Sequence, residues 1–355
     1  MKECKLCLLP ENVPGSDINS SGVCGYCRTY KDIDHSIQED ARKEREEDLN
    51  KAIEACRGVG EYDCLVPLSG GKDSLQLLYK LKVEYKLKVL AYTTNVNIPE
   101  IAWDNIRRAL RKLDIDHLSY TPANNFYTKM FNYLLQNQEE RGATYTISYV
   151  YAPLFEGDAI KLAIKMGIPL ILAGYSPGQP EPERMMYEFS RKLITETNWT
   201  PPGLTSSGVL NENELLQFFN PHTYPTGTVF PRYLAPFHAW KYNQEEVMAN
   251  VVKAGLVKKT KYANPIYSNY PINWLLMYSD LKHFGYNPYH PEFSALIREG
   301  KASRAEWRMM VPIVNCMIRN KVLLGKDVTK SMNWLGLSDE DLKINKPKGF
   351  YDPVF

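Results

Sequence analysis

The sequence predicts an α/β protein: a parallel sheet with helices on both faces, preceded by a four-cysteine ribbon and followed by a mainly helical region. Three observations carry that prediction. Short apolar runs alternate with helical patterns between Cys64 and Gly174, which is how a chain builds a parallel sheet covered by its own crossover helices. Two C-x2-C pairs stand near the N-terminus, and the pattern from Asn273 to Leu337 is helical.

Composition sets the bounds. A chain of 355 residues has room for two domains, or for one large domain with an appendage, and 44% hydrophobic against 24% charged residues suits a globular core. Lys and Arg number 43 against 41 acidic residues, a net charge of +2, which weighs against nucleic acid as the partner because proteins living on it show a stronger basic excess. No apolar run reaches the roughly 18 residues needed to span a membrane, and MKECKLCLLP has no signal-peptide core. A cytoplasmic protein with reduced thiols is expected.

Taken in order, residues 1–31 form the ribbon. Cys4, Cys7, Cys24 and Cys27 have the knuckle spacing that sets four thiolates around one ion, so structural Zn²⁺ is expected; an iron–sulfur cluster would use the same four thiolates. Residues 32–57 mix both signs of charge at helical spacings and predict a solvated helix that connects the ribbon to a domain spanning 58–235. In that domain strands are expected at Cys64–Leu68, Lys88–Asn95, His117–Tyr120 and Ile168–Gly174. Helices are expected over Leu75–Leu81, Ile101–Leu113, Phe126–Glu140 and Tyr151–Met166. Met185 to Tyr224 lacks a steady period and reads as a mobile cover, and Val229–Leu234 reads as a further strand. Residues 236–355 form the C-terminal region, where Asn243–Glu246 is a capping box. His283 and His290 lack companions for metal binding or a triad and read as structural.

The organising stretch is CLVPLSGGKDS, Cys64 to Ser74. It reads as a buried strand, a tight turn at Ser69-Gly70-Gly71 and a helix N-terminus. Two adjacent glycines allow positive φ and close approach of the backbone to an anion, the helix adds unpaired N–H groups, and Ser69, Lys72 and Ser74 add donors. A polyphosphate suits such a turn. The Walker pattern G-x-x-x-x-G-K-[ST] is absent. Ligands of open parallel sheets lie at the carboxyl ends of the strands. That rule gathers Leu68, Thr93, Asn95, Gly174, Ser176 and Gln179 around the same ligand, although a proline-rich loop such as AGYSPGQPEPER is also what an exposed connection looks like.

SGGKDS resembles the SGGxDS signature of the PP-loop ATP pyrophosphatases, whose fold is of the adenine nucleotide α-hydrolase-like type. The resemblance implies that Ser69, Gly70, Gly71, Asp73 and Ser74 hold the pyrophosphate of ATP and its Mg²⁺. It implies too that a substrate oxygen attacks the α-phosphorus, and Lys72 and Asp73 are the residues expected to carry the chemistry. With the ribbon, the block DCLVPLSGGKDS and the tail YSNYPINWLLMYSDLKHFGYNPYHPEFSALIREGKASR, the chain is similar over nearly its whole length to the N-acetyl sugar amidotransferases of surface-polysaccharide and nonulosonate pathways. That similarity implies adenylation of an acetamido oxygen, attack by ammonia and release of AMP. Free ammonia or a separate glutaminase subunit would be the nitrogen source, since no glutaminase cysteine stands in a nucleophile context. In one respect the chain departs from that family, for TYTISYVYAPLFEGDAIK carries no cysteine. The rival reading is a PP-loop thiolase that transfers sulfur to tRNA or a small molecule.

Overall fold

The computed structural model describes residues 2–31, 35–177, 186–263 and 270–352. Its strands are β1 Cys64–Pro67, β2 Val89–Thr94, β3 Asp116–Tyr120, β4 Gln138–Glu139, β5 Leu170–Leu172, β6 Arg232–Leu234 and β7 Ile344–Lys346. Five of them form one parallel sheet in the order β3-β2-β1-β5-β6. Helices α1 Gly25–Lys31 and α2 His35–Cys56 precede the sheet, and the chain leaves β1 through α3 Lys72–Tyr79. After β2 comes α4 Glu100–Leu113, and after β3 come α5 Asn124–Gln136 and α6 Ala143–Met166. The strands after β1 step outward to one side, and α5 and α6 then carry the chain back to lay β5 on the other side. The strand order therefore reverses between β1 and β5, and a crevice opens at their carboxyl ends.

The strand side chains alternate between two cores. Cys64, Val66 and Leu68 point one way, into a cluster with Leu49 and Ile53 of α2 and Leu75 and Leu78 of α3. Leu65, with Leu90 and Ile171 beside it, points the other way, onto Ala159, Ile160 and Ala163 of α6. Each such leucine, fully buried, contributes about 1.5–3 kcal/mol. β1 is sealed on both faces, which makes it a rigid base for whatever its carboxyl end presents.

The remaining helices are α7 Arg191–Thr195, α8 Pro202–Ser207, α9 Glu212–Leu215, α10 Gln244–Lys253, α11 Ile272–Phe284, α12 His290–Arg298, α13 Arg304–Arg319 and α14 Lys326–Leu335. The Asn243 side chain caps α10 by accepting from the N–H groups of Glu245 and Glu246 at 2.9 and 3.1 Å. Among the described residues no helix is long and apolar enough to cross a membrane.

Four local expectations change. The charged helix α2 is more than a connector: Leu49, Ile53 and Cys56 lie in the core, and Arg42 donates to the Ala239 carbonyl at 2.6 Å. α5 stops at Gln136, short of Glu140, because Gln138–Glu139 leaves to pair with β7. α6 begins at Ala143, eight residues earlier than periodicity suggests, because the Asp280 carboxylate of α11 accepts from the N–H groups of Ala143 and Thr144 at 2.6 and 3.1 Å. The described part of the expected cover, residues 186–224, is packed in place: Phe189, Trp199 and Phe219 are buried in the core that holds Tyr233 of β6.

Candidate active site

The site begins where β1 runs out of sheet. Leu68 makes a last ladder bond, its N–H donating to the Tyr92 carbonyl at 2.7 Å, and the chain then turns at Ser69-Gly70-Gly71 into α3. Gly70 has φ +77°, and a Cβ there would lie 2.4 Å from the Ala102 carbonyl oxygen of α4, so only glycine fits. Asn105 of α4 holds the turn by donating to the Gly70 carbonyl at 3.1 Å. Of the two glycines that allow positive φ only Gly70 uses it: Gly71 is extended at φ −78°, as the N-cap residue of α3. The hydroxyls of Ser69 and Ser74 sit 3.2 Å apart across this N-terminus, and Ser74 Oγ donates to the Gly71 carbonyl at 3.1 Å.

A cavity of about 220 Å³ lies here, at the carboxyl ends of β1, β2 and β5. Leu68, Ser69, Gly71, Asp73 and Ser74 form one side of it, Thr93 and Thr94 another, and Gly174 and Tyr175 a third. Gly174 serves an approach of protein to protein: a Cβ there would meet the backbone of Ser74 at 2.9 Å, so a bare glycine lets the tail of β5 lie against α3. Thr93 Oγ1 donates to the Leu68 carbonyl at 2.7 Å and meets His117 Nε2 at 2.9 Å.

Other predicted residues are placed around this cavity without lining it. Lys72 is buried, its ammonium 2.5 Å from the Asp73 carboxylate and 3.3 Å from the Tyr242 hydroxyl, while Tyr242 donates to the other Asp73 oxygen at 2.9 Å. Burial works against the Lys72 charge, but the Asp73 carboxylate and Tyr242 outweigh it and hold the pKa above the ordinary value. Ser176 is buried and bonds the Tyr242 hydroxyl. Asn95 turns away toward Thr121, at 3.2 Å. Gln179 lies outside the described residues.

Sequence reasoning reached the aromatic half of the site only in part: the segment holding Tyr175 reads as pocket lining and Tyr270 as one of several aromatics able to meet a base or sugar, most of them expected to be packing, while Tyr92, Tyr151 and Phe155 were missed. Tyr92, Tyr151, Phe155, Tyr175 and Tyr270 line the cavity, and burial pushes the phenols of Tyr151 and Tyr175 well up and that of Tyr270 to about 12, so they present neutral rings and hydroxyls. Two buried carboxylates of α6 stand behind them. Glu156 accepts from the Tyr175 hydroxyl at 2.8 Å, and Asp158, pushed up by burial against its Lys161 partner, accepts from Thr94 at 3.3 Å. A run of tyrosines carries no local mark that tells a wall of a cavity from core packing. One half of the cavity thus offers backbone N–H groups, two hydroxyls and a carboxylate suited to a divalent cation, which fits a metal-bound polyphosphate. The other half offers flat apolar surface for a ring.

The second chemically marked place is the ribbon. The sulfurs of Cys4, Cys7, Cys24 and Cys27 all lie within 4.8 Å of one another and all four residues are buried, a closed site for one metal ion. The ribbon docks on the C-terminal helices: Asn12 donates to the Phe284 carbonyl at 2.6 Å, and Arg298 Nη1 lies 3.5 Å from Cys7 Sγ. It shares no lining residue with the cavity.

No family model matches the chain, and no curated protein matches it. Solved structures with partial likeness include the U34-tRNA thiolase NcsA of Methanococcus maripaludis with its [4Fe-4S] cluster, at 14% identity and TM-score 0.35 over 96% of this chain and 90% of that one. NMN synthetase of Francisella tularensis matches at 10% identity and TM-score 0.36, over 87% of this chain and 97% of that one. The NH3-dependent NAD synthetase of Campylobacter jejuni, in complex with nitrate, matches at 12% identity and TM-score 0.35, over 88% of this chain and 100% of that one.

Proposed function

We propose that the chain is an ATP-dependent amidotransferase that releases AMP and pyrophosphate and converts the acetamido group of an N-acetyl sugar into an acetamidino group. The observation that carries the ATP half of this reading is the S-G-G-K-D-S turn itself, set at the reversal point of a parallel sheet with its serine hydroxyls, Asp73 and the N-terminus of α3 facing one cavity; the acetamido acceptor is taken from the sequence resemblance. The β and γ phosphates of ATP lie against the loop amides, with Ser69 and Ser74 as hydroxyl donors. Asp73 is the carboxylate for Mg²⁺, which when bound supplies the charge neutralisation a leaving pyrophosphate needs. Lys72 and the Tyr242 hydroxyl fix the direction of the Asp73 carboxylate.

The acetamido oxygen attacks the α-phosphorus, and the bond to the β-phosphate oxygen breaks with its electron pair leaving on pyrophosphate. Ammonia then adds to the activated carbon. The carbon–oxygen bond breaks, AMP departs, and a proton from nitrogen passes to solvent. Ammonia comes free or from a separate glutaminase subunit. For the ribbon we assign structural Zn²⁺: a tetrahedron of Zn–S bonds near 2.3 Å has edges of about 3.8 Å, and the Cys4–Cys27 and Cys7–Cys24 sulfurs stand 3.8 and 3.6 Å apart.

Transfer of sulfur to tRNA or a small molecule is the rival. No cysteine lines the cavity, and Cys64 is sealed inside β1, so sulfur would have to come from a donor outside the cavity lining. Supplying ATP, Mg²⁺ and N-acetyl sugars with either ammonium or sulfide separates the two. AMP and pyrophosphate formed with sugar and ammonium are expected; turnover only with tRNA and sulfide would reject the amidotransferase, and ADP as the product would reject the loop chemistry.

A further inference from the structure

A second chamber, of about 140 Å³, opens off the phosphate cavity. The two share Tyr151 and Phe155 of α6 and Tyr270, so one aromatic collar forms the boundary between them. Beyond the collar the chamber is walled by Tyr289 and Trp334, with the amides of Asn97 and Asn273 and the hydroxyl of Ser148 set among the rings. We propose that this chamber is the acceptor site and takes the neutral pyranose ring of an N-acetyl sugar, holding its acetamido oxygen at the collar. The proposal rests on the reading of the phosphate cavity given above.

Size, charge and position each point to that occupant. A cavity of about 150 Å³ admits one benzene ring, so this chamber, of about 140 Å³, limits the occupant to a single ring whose substituents extend beyond it. Among the described residues none of its lining side chains is charged, so a carboxylate or phosphate entering it would lose water and gain no counter-charge. Flat aromatic faces interspersed with amides and a hydroxyl suit a ring that is apolar on its faces and polar on its rim. An RNA base is also flat, but it brings a phosphodiester that needs cations close by. Asn97 adds a local sign: it follows β2 at the functional edge of the sheet and holds φ +52°, left-handed backbone that a non-glycine residue adopts at some cost. The Asn97 side chain lines the chamber there, its amide able to donate to a sugar oxygen. Chemistry at the collar then needs no movement of the acceptor, because the oxygen already faces the cavity that holds the nucleotide.

The test uses the full chain and N-acetyl-D-glucosamine as the probe, read by saturation-transfer NMR, with D-glucose and a single-stranded RNA oligonucleotide as comparison ligands. Two variants go with it: Ser148→Phe, which fills the chamber from a half-buried position, and Asn97→Gly, which removes the amide at an exposed position whose left-handed backbone glycine adopts without strain. Binding of Mg–ATP is measured separately on all three proteins. The expected result is strongest saturation at the acetamido methyl of the probe, at least a fivefold loss of signal in both variants, and unchanged Mg–ATP affinity. No sugar signal in the unaltered protein, an undiminished signal in a folded Ser148→Phe, or preference for the RNA would overturn the assignment. Failure of Mg–ATP to bind the unaltered protein is a different result, one that removes the nucleotide reading while the sugar signal still reports on the chamber.

Discussion

Gly70 and Gly71 stand side by side in the turn and do different work. Gly70 needs its left-handed φ and has the Ala102 carbonyl where a Cβ would go, whereas Gly71 is extended with only the Ser69 hydroxyl nearby, at 3.4 Å. Gly70→Ala is therefore expected to destabilise the fold by about 1–3 kcal/mol, the usual cost of such strain, and to abolish nucleotide binding. Gly71→Ala should leave thermal unfolding nearly unchanged while weakening Mg–ATP, and calorimetry on both variants checks the contrast. A second asymmetry lies in the adjoining ion pair. Lys72 is sealed in and Asp73 reaches the cavity, so Asp73→Ala strands a buried ammonium and should cost about 3–5 kcal/mol, while Lys72→Met leaves a carboxylate that water can reach and should cost clearly less; urea midpoints compare them. S-G-G-K-D-S was legible because strand, turn and helix N-terminus are all written within a few residues. Tyr242, which clamps the same pair from the C-terminal region, left no mark near the loop.

At the scale of elements, β1, β2 and β5 were legible because each is a short, buried, largely apolar run beside a helical pattern, whereas the edge strand β3, DHLSY, is mostly exposed; their order follows from the crossover rule only once β5 is seen to return beside β1. The start of α6 was not legible, because its cap is a side chain of α11. That cap has a pH signature. Burial pushes the Asp280 carboxyl up to about 6 from 3.8, against the N–H groups that favour its charge. Between those values the folded chain keeps a proton that the unfolded chain has lost, so the contribution is complete below the unfolded pKa and is lost as pH rises through the folded one. Two pKa units correspond to about 2–3 kcal/mol. His238 and His290, held down to about 4 by burial, act in the opposite sense, contributing stability above 6.5 that is lost as pH falls through 4. The clean readout is therefore the difference between the protein and Asp280→Asn: the variant should gain relative stability between pH 4.5 and pH 7, and a difference that stays flat in denaturant titrations would remove Asp280 as its cause.

For the molecule as a whole, the N-terminal ribbon and the C-terminal helices form one packed unit far apart in sequence. Asn12 with Phe284, and Arg298 with Cys7, make that join, and nothing in the cysteine spacing could name the surface on which the ribbon would dock. Cys4→Ser or a strong chelator is expected to drop metal content from one ion per chain to none and to lower the unfolding temperature, since a structural site of this kind supplies about 10–16 kcal/mol of folding free energy in isolated fingers; elemental analysis with a thermal melt reads both. The central claim is that the turn after β1 grips the outer phosphates of ATP. Its most direct test is a crystal structure with Mg²⁺ and an ATP analogue whose α,β bridge is a methylene. The account predicts the β and γ phosphates against the amides of Gly70 to Ser74, with the α-phosphorus facing the collar of Tyr151, Phe155 and Tyr270. A nucleotide bound elsewhere, with those amides turned away, would contradict it.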